Sequence, residues 1–412
     1  MADFSPPDKH KRTGQRGAEK SGKVADFRYR SPSQSAAALS AKRKRAKGRN
    51  PAPGDTSSGY AGGRGPDTPA FHTPHHRKQA YAALDLGTNN CRLLIARPSG
   101  ENFTVIDAFS RVVKLGEGLA MSGKLSDAAM DRTLAALEVC AEKLRRRNVH
   151  LARSVATEAC RRAANGPAFI ERVKDHTGIA LDIISAEEEA RLAVLGCYVL
   201  LEGGEGPAVI FDIGGGSTEL VLIEPGDKIP RIIDWQSVPW GVVSLTDTVG
   251  RSEGSRDQRL AKYTEMRRVV SESFAPFADR IAVRASAGQD IRLLGTSGTV
   301  TTLASLHLQL PHYDRREVDG LIVPADAMRG ISTMLSELSP AKRGELPCIG
   351  TDRSDLVVAG CAILESIMDI WPAVNLGVAD RGIREGILRS LMAADAEGEQ
   401  CRQNLRGVRD AK

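Results

Sequence analysis

Three short segments carry residue types suited to holding an oligophosphate. Each is an apolar, strand-like run that ends in a turn of glycine with hydroxyl or amide side chains. They read Asp85-Leu86-Gly87-Thr88-Asn89-Asn90, Asp212-Ile213-Gly214-Gly215-Gly216-Ser217 and Gly295-Thr296-Ser297-Gly298. Lacking a Cβ, glycine lets backbone N–H groups come close to phosphate oxygens and lets the chain take positive φ. One such turn is ordinary; three, two of them beginning at an aspartate, point to phosphate. Asp85 and Asp212 end their strands at these turns, where a carboxylate can hold Mg²⁺ directly or through its waters. Mg²⁺ usually takes only one or two carboxylates plus substrate oxygens, which suits the few on offer. Glu219, seven residues after Asp212, returns on the other arm of that hairpin and can approach the same ion; taken alone it reads equally as a sheet-surface carboxylate.

Other candidate motifs carry less. Ser185-Ala186-Glu187-Glu188-Glu189 opens a helix, where acidic residues cap the end and complement its dipole; local sequence assigns Glu189 nothing beyond that. The nucleotide-binding signature G-x-x-x-x-G-K-[ST] is missing, because Ser122-Gly123-Lys124 is followed by Leu125. Seven cysteines are scattered without C-x-x-C spacing, and four of the eight histidines lie before residue 79. That excludes a disulfide framework or structural zinc and suits a reducing cytoplasm. The cysteines and Trp235, Trp240 and Trp371 read as packing residues, and Lys114 and Arg145-Arg146-Arg147 as solvated.

The elements that position the turns repeat. Ala80–Asp85 leads through the first turn into Cys91–Ala96, and 127 residues later Ala208–Asp212 leads through the second into Thr218–Ile223. Each returning strand carries a charged residue seven places after the aspartate, Arg92 in one and Glu219 in the other. A hairpin repeated at the start of two halves implies a duplicated α/β domain. Between the hairpins, Ser126 caps a helix that places Met130, Leu134, Leu137 and Leu144 on one face. Strands over 151–156 and 179–184 and helices over 167–175 and 187–199 follow. The second half gives further strands after Glu219, a helical region over 258–280, a strand into 293–298 and a helix from Gly298. Helices over 326–338, 354–370 and 382–391 and a strand over 374–377 complete it. Alternation of this kind implies α/β layers with the site between two lobes.

Charge divides the chain differently. Its 412 residues hold 57 Lys and Arg against 51 Asp and Glu, a net of +6. Residues 1–78 hold 17 basic and 6 acidic side chains, net +11, leaving 40 and 45 in the rest, net −5. The chain is a basic tail on a mildly acidic body, so its overall balance does not make it a nucleic-acid binder. The tail, rich in Pro, Gly, Ser, Lys and Arg, cannot bury enough surface to order itself and is expected to be disordered. Its run Lys42, Arg43, Lys44, Arg45, Lys47 and Arg49 could contact RNA, DNA, anionic lipid or a polyanionic substrate, or simply be a solvated arm. No stretch approaches the roughly 18 apolar residues of a membrane span, and the start lacks the apolar core of a secretory signal.

These segments resemble the exopolyphosphatase / guanosine pentaphosphate phosphohydrolase (Ppx/GppA) family, of the superfamily of actin, sugar kinases and heat-shock ATPases. The matching stretches are ALDLGTNNCRLLIA at 83–96, ATEACRRA at 156–163, SAEEEARLAVLG at 185–196, FDIGGGSTELVLIE at 211–224, LLGTSGTVTTLA at 293–304 and DRGIREGIL at 380–388. The resemblance implies an α/β, duplicated actin-like (ribonuclease H-like) fold, two lobes with a cleft between them. It implies a disordered tail at 1–78, a first domain at 79–205, a second at 206–379, a helix at about 380–395 packing back on the first, and a flexible end at 396–412. By position, Glu189 matches the general base; Asp212 and Glu219 match the acidic residues associated with a divalent metal, and Asp85 the first-turn aspartate. Asn89, Arg161, Gly214, Gly215 and Ser217 match residues that hold phosphate. The first turn reads Thr-Asn-Asn rather than the commoner Ser-Asn-Ser, and the chain stops soon after DRGIREGIL, as expected of a short, two-domain member.

The activity implied is Mg²⁺-dependent release of the terminal phosphoryl group of inorganic polyphosphate, in the cytoplasm and by a homodimer, as is common among relatives. Two alternatives stay open: hydrolysis of the 5′ γ-phosphate of guanosine pentaphosphate, and a non-catalytic regulator that binds guanosine alarmones.

Overall fold

In the computed structural model, which describes residues 79–100, 102–201, 206–226, 229–285 and 291–410, the two hairpins open two sheets of matching order. The first contains β1 (Ala80–Leu86), β2 (Asn90–Ser99), β3 (Asn102–Val112), β4 (Val149–Ala156) and β5 (Asp182–Ile183), ordered β3-β2-β1-β4-β5. The second contains β6 (Ala208–Ile213), β7 (Thr218–Glu224), β8 (Arg231–Val238), β9 (Arg292–Thr296), β10 (Ile322–Pro324) and β11 (Asn375–Ala379), ordered β10-β11-β9-β6-β7-β8. In each, an antiparallel meander is extended by two parallel strands, β4 and β5 beside β1, β9 and β11 beside β6. β1 and β6 are nearly continuous apolar runs because both faces of each sheet are covered.

The first half supplies helices α1 (Leu119–Ser122), α2 (Asp127–Arg146), α3 (Glu158–Arg162), α4 (Gly166–Thr177) and α5 (Ala186–Cys197). The second supplies α6 (Val242–Val249), α7 (Arg256–Ala285), α8 (Gly298–His307), α9 (Arg315–Val318), α10 (Ala325–Glu337), α11 (Pro340–Gly344), α12 (Leu356–Ile370) and α13 (Ile383–Asp410). α2 begins where expected: the Ser126 hydroxyl accepts from the Ala129 N–H, and Met130, Leu134 and Leu137 enter the core. α5 serves both sheets, with Leu192 and Ala193 packed on the first and Ala190, Val194 and Cys197 on the second. α13 returns to the first sheet through Ile387, Leu388 and Leu391. The two helices meet backbone to backbone, since a Cβ on Gly386 would lie 2.0 Å from the Leu192 carbonyl oxygen. Both crossings between the lobes are thereby tied together.

Several local expectations are revised. The strand over 179–184 shrinks to two residues, because Ile179, Leu181 and Ile184 are buried by core packing rather than by a ladder. β3 was not foreseen; it is an edge strand with one solvated face, so its apolar content is low. α13 runs past 395 to Asp410, as a stretch without proline permits, so the helix expected at about 380–395 is longer than the resemblance implied. The run Arg145-Arg146-Arg147 is not simply solvated: Arg147, with Lys143, is paired to Asp107. Trp371 is core, edge-on to Phe277, and Cys91 and Cys140 are buried with sulfurs 4.0 Å apart. The basic tail, with its expected disorder, lies outside the described residues, as do residues 411 and 412. Among the described residues no helix is long and apolar enough to cross a membrane.

Candidate active site

The hairpin register places the acidic residues. A turn of the same length closes each hairpin, with the Gly87 N–H on the Asn90 carbonyl and the Gly214 N–H on the Ser217 carbonyl, both 2.9 Å. That register sets Asp85 directly opposite Arg92, and Asp212 directly opposite Glu219. Residues directly opposite share a face of the sheet, so the spacing of seven brings two carboxylates together in the second lobe. Glu219 is 2% exposed, and its Oε1 accepts from the hydroxyls of Ser217 at 2.7 Å and Ser237 at 2.9 Å.

The two turns face each other across the lobes. A Cβ on Gly215 would fall 2.9 Å from Thr88 Cβ and 3.1 Å from the Asn89 nitrogen, and one on Gly216 would fall 2.7 Å from Thr88 Oγ1. Only glycine permits that approach. The third turn completes the cavity: Ser297 holds φ 144°, a left-handed value rare outside glycine, while its hydroxyl accepts from the N–H groups of Thr299 and Val300 at the start of α8. Glu189 enters from the first turn of α5, where Ser185 caps the helix through the Glu188 N–H. It is 7% exposed and accepts from Arg161 Nη1 at 3.0 Å.

These turns enclose a cavity of about 130 Å³. Asp85, Asn89, Glu189, Asp212, Gly214, Gly215, Ser217 and Glu219, all singled out from the sequence, line it. Arg161 does not. It stands behind the wall, bonded to Glu158, Glu189 and the Ile184 carbonyl, because two carboxylates compete successfully for it. Sequence reasoning missed Arg353, a lining cation just before α12 whose Nη1 donates to Thr302 Oγ1 at 3.3 Å; nothing local marks it. It also missed Glu158 in the wall and Ser237 behind Glu219. A smaller adjoining cavity shares Asp85, Arg92 and Asp212 and reaches Arg384 at the start of α13.

The lining holds five carboxylates, Asp85, Glu158, Glu189, Asp212 and Glu219, against two guanidiniums, Arg92 and Arg353. Burial and then Glu219 push the Asp212 carboxyl up to about 8, with Arg92 opposing. Burial raises Asp85 as well, against Arg92 and Arg384, and its Oδ1 has no protein partner. Glu189 is raised well above the usual carboxylate range, by burial and then by Glu219, with Arg161 opposing. A hard divalent cation fits this set of buried, mutually repelling oxygens. Among the described residues, however, no three Asp, Glu, His or Cys side chains form a ready-made metal cage.

Two α/β lobes on one plan, with matched glycine turns facing across a cleft, define an actin-like fold. The profile of the Ppx/GppA phosphatase family matches residues 94–395. Exopolyphosphatase 2 of Mycobacterium tuberculosis is 30% identical over 324 residues, covering 75% of this chain and 98% of that protein. The crystal structure of the Aquifex aeolicus Ppx/GppA family member superposes with a TM-score of 0.62 at 26% identity, covering 77% of this chain and 98% of the other. An exopolyphosphatase-like protein superposes with a TM-score of 0.68 at 25% identity, covering 76% and 99%. The chain belongs to the Ppx/GppA phosphatase family, and as such is a phosphoanhydride hydrolase.

Proposed function

We propose that the chain is an exopolyphosphatase that releases orthophosphate from the end of inorganic polyphosphate. The observation that carries this reading is the position of Glu189, nearly buried in the cavity wall beside Asp212 and Glu219, with one carboxylate oxygen held by Arg161. Glu189 is the general base. Burial and the neighbouring Glu219 raise its proton affinity, which suits it to take a proton from the attacking water. The turn at 214–217, facing Thr88 and Asn89, binds the terminal phosphoryl group through backbone N–H groups, and the start of α8 approaches from the third side. Asp212 and Glu219, with Asp85 across the seam, would hold Mg²⁺, which when bound offsets charge on phosphoryl oxygens.

A lining of five carboxylates and two guanidiniums repels a polyanion unless a cation accompanies it, so turnover depends on the divalent ion. The apolar residues among the described lining are aliphatic, Ile213, Val242, Leu356, Val357 and Ile383, and present no aromatic face for stacking a base. The name of the Mycobacterium tuberculosis relative, exopolyphosphatase 2, favours a bare phosphate chain over guanosine pentaphosphate. Phosphate release from long-chain polyphosphate, guanosine pentaphosphate and ATP, measured in parallel with Mg²⁺ and with a chelator, tests the proposal. The expected outcome is Mg²⁺-dependent release from polyphosphate foremost; preference for guanosine pentaphosphate would replace the substrate, and release from none would sink the reading.

A further inference from the structure

Glu158 stands at the seam of the two lobes. It is the first residue of α3, largely buried, and part of the cavity wall. Its Oε2 accepts from Nε and Nη2 of Arg161 at 3.1 and 2.7 Å, and its Oε1 lies 3.7 Å from Arg162 Nε. Arg161 in turn gives Nη1 to Glu189 Oε2 at 3.0 Å and to the Ile184 carbonyl at 2.8 Å. A guanidinium has five N–H groups in a rigid plane, and these contacts occupy four of them. The plane is therefore fixed from two sides, by Glu158 on one edge and by Glu189 with Ile184 on the other. Glu158 also touches the opposite lobe, since a Cβ on Gly216 would come within 2.9 Å of Glu158 Cγ.

We infer that Glu158 is the positioning residue of the base. It holds Arg161 so that Arg161 holds Glu189 by one carboxylate oxygen, leaving the other to the attacking water. This rests on the reading of Glu189 as general base. A carboxylate in the wall of a site for polyanions is costly in itself, because it repels the substrate. Its grip on Arg161, two N–H groups on the one oxygen Oε2, accounts for its presence: a guanidinium freed of Glu158 would turn to the phosphates and let Glu189 swing. Glu158 also packs against Gly216, so the second lobe's turn backs the link from Glu158 through Arg161 to Glu189.

The test is Glu158→Gln, which keeps length and one acceptor but loses the charge, beside Glu158→Asp, which keeps the charge on a shorter arm. For long-chain polyphosphate with Mg²⁺, kcat of Glu158→Gln should fall roughly 10- to 100-fold, as small misplacements of catalytic groups do, with KM within about twofold of wild type. Binding of tripolyphosphate by calorimetry should be unchanged. In an Arg161→Ala background the same substitution should add nothing, because residues acting through one another are not additive. A lowered KM with kcat retained would show that Arg161 grips substrate and that Glu158 merely restrains it, overturning the inference. Equal losses with and without Arg161 would do the same. Thermal unfolding reports whether each variant folds; if Glu158→Gln does not, the kcat and KM of Glu158→Asp decide by the same split. Wild-type protein that hydrolyses no phosphoanhydride defeats the proposed function itself, whereas an active wild type with an unaltered Glu158→Gln defeats this inference alone.

Discussion

The first turns of α5 and α13 occupy corresponding places in the two lobes, each following a parallel strand, β5 or β11, that flanks the central pair. Each buries a glutamate. Glu385 is 2% exposed, with Oε1 accepting from Arg315 Nη2 at 2.8 Å and Oε2 from the Gly382 N–H at 3.0 Å. Arg384 and Arg315 hold its carboxyl below the usual range in spite of burial. The Glu189 carboxylate accepts one hydrogen bond, from Arg161, and Glu219 is its nearest like charge, so burial and like charge push its carboxyl the other way. The same place in the fold therefore yields a bracket in one lobe and, on the function proposed above, a base in the other. What decides is whether both oxygens are already spoken for and whether the nearest charge attracts or repels.

Exchanging each glutamate for its amide gives the sharpest separation of these roles. Glu189→Gln should lower phosphate release by about 100- to 10,000-fold, the usual contribution of a general base, while tripolyphosphate still binds in calorimetry and the unfolding midpoint hardly moves. Turnover near wild type would remove Glu189 from the mechanism. Glu385→Gln should behave in reverse. Losing the charge that meets Arg315 and caps α13 should cost about 2 kcal/mol in denaturant unfolding, with turnover per folded molecule near wild type. A stability loss at Glu189 and an activity loss at Glu385 would break the comparison outright.

The same contrast explains what was legible beforehand. Asp212 and Glu219 could be paired from sequence because a hairpin converts spacing into register, and seven residues around a short turn leave one pairing. Asp85 and Arg92 obey the same rule. The duplication was visible for that reason, and the structure adds the identical turn hydrogen bond. Glu189 was not readable locally, because the signal of an acidic first turn is the same whether the carboxylate caps a helix or enters a cavity. Only the resemblance selected it, and only the packing of α5 between both sheets shows why it reaches Asp212 and Glu219. Arg161 shows the converse limit. Position in a motif suggested a phosphate ligand, yet its partners, Glu158, Glu189 and the carbonyl of Ile184, are fixed by where β4, α3 and α5 meet. Arg353 belongs to no local pattern and is brought in by tertiary structure alone.

Outside the cleft the lobes agree again, and the smallest effect is expected there. β3 and β8 are the corresponding outer meander strands, and each is pinned to the long helix that follows it. Asp107 of β3 accepts from Lys143 of α2 at 2.7 Å and from Arg147 just beyond it at 2.8 Å. Asp234 of β8 takes Nε and Nη2 of Arg280 in α7 at 3.0 and 3.1 Å. The Asp107 side chain is 9% exposed and Asp234 28%, and the hydrogen bonds from Lys143 and Arg147 hold the Asp107 carboxyl well below the ordinary range. Asp107→Asn should therefore cost about 1 kcal/mol at neutral pH, near the upper end for ion pairs with exposed partners, and Asp234→Asn less. A carboxyl whose affinity for protons falls on folding stabilises above its unfolded pKa of about 4, and that contribution fades as pH drops through and below this value. The gap between wild type and Asp107→Asn in chemical denaturation should then be constant from neutral pH down to about 5 and close steadily towards pH 2. A gap that persists in acid would mean that Asp107 acts through packing rather than charge, and that the two lobes hold their outer strands by different physics.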